Sequence, residues 1–112
     1  MTEILKKELL QKIERLEAFE ERMMIRFENI SVTIVDKDSF NLFFEAHPIT
    51  GTKINETIII DCIIYDKNGA IIDKKYTYLI KDSFFGFEVV DFFISGNEIL
   101  DKVGKIRIYP KK

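Results

Sequence analysis

The residues whose types could do chemistry in this chain are few and scattered. They are His47, Cys62, the acidic turn Asp36-Lys37-Asp38-Ser39, the loop Asp66-Lys67-Asn68-Gly69, and Asp61, Asp73 and Asp91 inside apolar runs. Hydrolytic triads and most zinc sites need an imidazole placed by partners. His47 is the only histidine and directly precedes Pro48, so it reads as a surface loop residue. The Asp36–Ser39 turn has the acidic start of a calcium loop but lacks the following glycine and the distal glutamate, leaving a hydrated turn. Asp61, Asp73 and Asp91 read as solvent-facing positions or guards against edge pairing before they read as an acid–base pair.

Cys62 is the only cysteine, which precludes an intrachain disulfide. It lies in the most apolar run, with no arginine or histidine beside it in sequence, and is expected to pack as a small core residue. The glycines match neither a Rossmann nor a P-loop spacing. No nucleophile, base and orienting group assemble from this inventory. The chain is expected not to be an enzyme, with no catalytic, metal or cofactor residues assigned.

Charge narrows the partners. Across 112 residues the formal net charge is −2, with acids and bases interspersed. That balance gives no long-range field to draw phosphate backbones, and nucleic acid is not expected as a partner. Lys105, Arg107, Lys111 and Lys112 form the one basic cluster, attributed to a solvated strand edge and tail. The amino-terminal run has charges every few residues and no apolar h-region. No segment approaches the roughly 20 apolar residues of a membrane span. A cytoplasmic protein without membrane insertion is the expectation.

The elements that must position these residues are mostly strands. Thr57–Lys75 holds two β-branched runs flanking Asn68-Gly69, the strongest short-range hairpin signal. The first run is apolar on both faces, with Ile58, Ile60, Cys62 and Ile64 on one and Ile59, Ile63 and Tyr65 beside Asp61 on the other, so it demands a cover on each side. Ile30, Val32 and Ile34 share a face, as do Phe40, Leu42, Phe44 and Ala46, while Phe43 points the opposite way. Ile72, Tyr76, Tyr78 and Ile80 share a face across from Asp73, Lys75 and Thr77. Phe84–Ile94 reads as one long strand with Gly86 inside it, then a helical turn near Glu98–Lys102, then a last strand at Lys105–Tyr109.

Thr2 to about Met23 reads as one amphipathic helix, rich in Glu, Lys and Leu and free of Gly and Pro, with Thr2 as its cap. Leu5, Leu9, Ile13, Leu16, Phe19 and Met23 form its stripe, with Lys12 where an apolar residue should be. The fold expected is a mainly β, antiparallel immunoglobulin/fibronectin-III-like sandwich of about six to seven strands behind one amino-terminal amphipathic helix. Residues 1–23 form that helix, packed on the sheet or on a partner; residues 24–112 form the sandwich. The helix is expected to roof Ile59, Ile63 and Tyr65.

The segment Cys62–Ile72 resembles the FxLYD family of bacterial immunoglobulin-like domains, with Ile64-Tyr65-Asp66 matching the end of the naming motif. Phe85–Val89 and Ile106–Tyr109 are similar to its later strands. Cys62 stands where the family has Phe. The resemblance implies an accessory or interaction domain and carries no catalytic residues. The expected role is accordingly a non-enzymatic module for protein–protein interaction or self-association. Its surface would involve Leu10, Glu17, Glu20, Glu21, Arg22 and Met24. The alternative, drawn from ten Phe and four Tyr, is a carrier with an aromatic-lined pocket for a small apolar ligand.

Overall fold

The structure, a computed structural model, describes residues 2–112, with side chains from residue 3 onward. The cap expected of the Thr2 side chain therefore lies outside the described residues. The order of elements is α1 (Thr2–Lys12), β1 (Ile13–Arg15), α2 (Glu17–Arg22), β2 (Ile25–Asp36), β3 (Ser39–Pro48), β4 (Ile58–Asp66), β5 (Ile71–Leu79), β6 (Glu88–Ser95), α3 (Ile99–Lys102) and β7 (Val103–Lys111). A 3-10 turn at Lys81–Ser83 lies between β5 and β6.

Among the described residues seven strands form two sheets, one ordered β1-β7-β4-β5 and the other β2-β3-β6. In an immunoglobulin-type sandwich these would be F-C-C′ (β7-β4-β5) facing A-B-E (β2-β3-β6). The departure is β1, which takes the place of strand G and pairs with β7 in parallel, Ile13 opposite Ile106 and Arg15 opposite Ile108. The sandwich is thus antiparallel except at this one pair.

The core lies between the sheets. Ile58, Ile60, Cys62 and Ile64 of β4 meet Phe40, Leu42, Phe44 and Ala46 of β3, all buried. Alternation along each strand turns every second side chain inward, as the period of two requires. The phenylalanines pack on one another: Phe27 and Phe44 have ring centroids 4.6 Å apart, Phe44 and Phe92 6.3 Å. Each such buried ring stabilises the fold by about 1.5–3 kcal/mol relative to exposure.

The hairpin between β4 and β5 is built by Asp66. Its Oδ1 accepts the N–H groups of Asn68 and Ala70 at 2.8 and 2.9 Å, and Gly69 supplies the left-handed backbone at φ 89°. At the other end of the same turn Gly104 occupies a bulge between β4 and β7. A Cβ there would lie 2.5 Å from the Asp66 carbonyl oxygen, so only glycine lets the two backbones meet.

The amino-terminal segment differs from the single helix expected. It bends at residue 13, runs extended for three residues, and re-enters a helix after Leu16. The extended residues extend the β7 ladder, and the Leu16 N–H continues the pairing to Ile108 at 3.3 Å. The helix also does not roof β4. Both α1 and α2 contact β2 of one sheet and β7 of the other, filling the open flank of the sandwich between them. Leu9 is buried there, with Ile13 and Met23 packed against the core. Lys12 fits because its ammonium donates to the Val103 carbonyl at 3.0 Å. On the opposite flank β5 and β6 touch directly.

Two smaller expectations also change. The run from Phe84 is strand only from Glu88; Gly86, at φ 80°, donates to the Thr52 carbonyl at 2.7 Å and holds the preceding residues in a loop. The helical turn before the last strand is present as α3. No helix among the described residues is long and apolar enough to cross a membrane.

Candidate functional site

The outer side of the four-stranded sheet is left open by the helices except along β7, where Phe19 of α2 packs edge to face on Tyr109 at 5.3 Å. Cross-strand register places Ile59 beside Tyr78 and Lys111, Asp61 beside Tyr76 and Tyr109, Ile63 beside Lys74 and Arg107, and Tyr65 beside Lys105. Residues directly opposite one another share a face, so these side chains form one surface. All four tyrosines of the chain lie on it. Tyr76 and Tyr78 are the open ones, 60% and 50% exposed, and meet edge to face at 5.7 Å. They belong to the face shared with Ile72 and Ile80 in the sequence, and all four are exposed.

Asp61 is 1% exposed although it points to this outer side. Lys111 Nζ stands 2.8 Å from its Oδ2, within range of a hydrogen bond but out of its direction, which leaves an ion pair. That side-chain contact, then the carboxylate's negative charge, raises the Lys111 pKa. Burial first, then the Asp61 charge, raises that of Tyr109. Ile59, Asp61, Lys74, Tyr76, Tyr78 and Lys111 line a shallow cleft of about 220 Å3.

Beyond Asp61 the face is clamped by Arg107. Its Nε donates to Glu14 Oε1 at 2.8 Å, Nη1 donates to the Tyr65 hydroxyl at 3.2 Å, and the guanidinium lies 5.3 Å from the Tyr65 ring centre. The cations of the face, Lys74, Lys105, Arg107 and Lys111, outnumber its carboxylates, Glu14 and Asp61. A protein of net charge −2 therefore carries a locally positive, tyrosine-rich surface.

The other candidates do not converge. His47 lies in β3 rather than a loop, because Pro48 closes the strand against Ile25. Its Nε2 lies 2.8 Å from Glu45 Oε1, and its ring stacks on Phe87 at 5.1 Å. Glu45 also accepts from Asn29 at 2.9 Å; contact with His47, then with Asn29, holds its pKa below the ordinary value. Phe43 sits on this same sheet's outer side, not beside Ile59. Asp36 Oδ1 accepts from the Asp38 N–H and the Ser39 hydroxyl, and Asp38 Oδ1 from the Glu98 N–H, so these carboxylates tie loops together. Asp73 lies toward the inner side of β5, and Asp91 on the other sheet. Among the described residues no three His, Cys, Asp or Glu side chains gather as a metal site. Cys62 is fully buried in the core, and desolvation, then the charges of Asp73 and Asp61, push its thiol up to about 12.

The surface read from the amino-terminal segment divides. Leu10 and Met24 are exposed, as are Glu17, Glu21 and Arg22. Arg22 and Met24 line a recess of about 120 Å3 with Lys53 and Glu56. Glu20 is not at the rim: it is 3% exposed, held by Arg15, and accepts the Phe27 N–H. Tyr76, Tyr78 and Lys74 are absent from the interaction surface read from sequence, and Arg107 enters that reading only as part of a solvated basic edge. The available signal was the pair Lys74-Lys75 beside two tyrosines, a pattern of edge strands rather than central ones. Comparison with protein-family models and a search of the curated proteins return no match.

Proposed function

We propose that this protein is a non-enzymatic β-sandwich module that works by protein contact, through the outer face of its four-stranded sheet. The observation that carries the reading is the gathering of all four tyrosines and Arg107 on one face, open at Tyr76 and Tyr78 and covered by α2 at Tyr109. Tyrosine and arginine are enriched at the energetic centres of protein interfaces, because they bring large contact area with a polar tip. Tyr65 and Arg107 hold each other and Tyr109 packs on Phe19, so little ordering opposes contact at those positions.

Kinship with FxLYD-like domains belongs to the same reading. Its support is the strand order and the Ile64-Tyr65-Asp66 run ending β4, whose tyrosine belongs to the proposed face. A reducing, cytoplasmic setting accords with one unpaired, buried cysteine. The apolar-ligand carrier gains no support, since the phenylalanines meant to line its pocket pack against each other.

The test is a photo-crosslinking residue placed at position 78, compared in native cells with the same residue at Val35, which is exposed elsewhere. A defined adduct at 78, absent at 35 and lost on Arg107→Glu, is expected. Equal adducts at both positions, or none at 78, overturn the reading.

A further inference from the structure

Resting on that contact-face reading, we infer that the free edge of β5 takes up an extended acidic segment of another protein as an additional strand. β5 is the last strand of its sheet and runs nine residues, Ile71–Leu79, without proline or glycine. β6 of the facing sheet touches β5 but forms no ladder with it, so the outer backbone groups of β5 have no strand partner among the described residues, and such an edge is a template for strand addition. The side chains along it set what kind of strand fits. Lys74 has no carboxylate within ion-pair distance among the described residues, and Lys75 has only Asp73, at 3.8 Å. Asp73 is itself engaged, accepting the Lys74 N–H on Oδ1 at 2.8 Å. A glutamate or aspartate beside Lys74 on the incoming strand would complete that pair. Two residues further along, Tyr76 and Tyr78 offer flat, exposed rings to an apolar side chain on the same side.

A second copy of this chain fits less well. The antiparallel register that uses all nine residues sets Lys75 against its counterpart, and like charges directly opposite destabilise a ladder. It also brings a second positive face alongside the first. An acidic strand meets neither obstacle, and the excess of lysine and arginine on this face favours its approach.

The experiment is an NMR titration of the full-length, nitrogen-15-labelled protein at physiological ionic strength. The probes are a blocked nonapeptide that sets one glutamate and two valines on one face and threonines on the other, its counterpart with lysine in place of the glutamate, and a short oligothymidylate. The expected result is saturable shifts with slowed amide exchange across Ile71–Leu79 for the glutamate peptide alone. Lys74→Glu should weaken that binding about fivefold; Lys37→Glu, in the turn between β2 and β3, should leave it unchanged. Equal binding of the lysine peptide overturns the inference, as does silence with every probe. A response to oligothymidylate without one to the glutamate peptide makes the occupant a nucleic acid. Concentration-dependent broadening of β5 without any peptide makes it a second copy. Shifts on the outer face without protection of the β5 amides overturn strand addition alone; the contact reading then stands or falls on the crosslinking at position 78.

Discussion

Arg15 and Glu20 are joined by two hydrogen bonds across the turn from β1 to α2, Nε to Oε2 at 2.9 Å and Nη2 to Oε1 at 2.5 Å. The same Oε1 accepts the backbone N–H of Phe27 at 3.0 Å. One carboxylate thus holds the strand before the turn, the helix after it, and the start of β2. Glu20→Ala leaves the Phe27 N–H unpaired in a buried setting and should cost about 2 kcal/mol in urea denaturation. A surface glutamate would change stability by less than about 0.5 kcal/mol, and that outcome would refute the clasp.

Neighbouring leucines on α1 should behave oppositely. Leu9 is 3% exposed within the flank, whereas Leu10 is 39% exposed. Leu9→Ala is expected to lose about 2–4 kcal/mol, and Leu10→Ala to be near neutral by the same denaturation. If Leu10→Asp dissociates a dimer in light scattering, α1 itself carries a contact surface.

Gly104 has no room for a methyl group. Its missing Cβ would meet the Asp66 carbonyl oxygen at 2.5 Å and Lys67 Cα at 2.8 Å, all rigid backbone. Gly104→Ala should destabilise by about 1–3 kcal/mol. Gly69→Ala, where the space is open but φ is 89°, tests backbone strain without a clash.

Cys62 should resist alkylation. With its thiol pushed to about 12 and its side chain in the core, the thiolate is scarce and inaccessible at neutral pH. Iodoacetamide labelling, followed by mass spectrometry, is expected only upon unfolding. Rapid labelling of the folded protein would contradict the core position.

Acid should loosen the joint between β1 and β7. The Arg107 contact, with Lys105 adding to it, holds the Glu14 carboxyl below its ordinary 4.5. A lowered folded value stabilises above the unfolded pKa, and that contribution disappears as pH falls through the folded value. Tm should therefore drop below about pH 4.5 more steeply in the native protein than in Glu14→Gln. Identical pH profiles would remove Glu14 from the account.

Much of the architecture was legible in the sequence because period-two alternation is local. Phe40, Leu42, Phe44 and Ala46 turn inward as their spacing required, and Asn68-Gly69 marks the hairpin where it forms. Lys12 was the visible flaw in the helical stripe, one residue before the chain goes extended. What spacing could not reveal was that β7 lacked a neighbour on one side, so that residues with good helix propensity would complete a sheet. The same non-local cause hid the site. The outward face of β4 is flanked by Tyr76 and Tyr78 of β5 and by Tyr109 of β7, and that depends on which strands lie beside it. Glu20 misled for a related reason: its acidic type suggests water, while its partner lies five residues back across a turn invisible in a helical reading.

The parallel seam between β1 and β7 has a consequence for biosynthesis. Glu14 and Arg107 sit 93 positions apart, so the leading segment leaves the ribosome long before its neighbour is translated. Until that strand emerges, one wall of the flank that shelters Leu9 and Ile13 is missing, and both remain exposed apolar side chains. Such distant closure also places refolding in the slow, millisecond-to-second regime of all-β topologies.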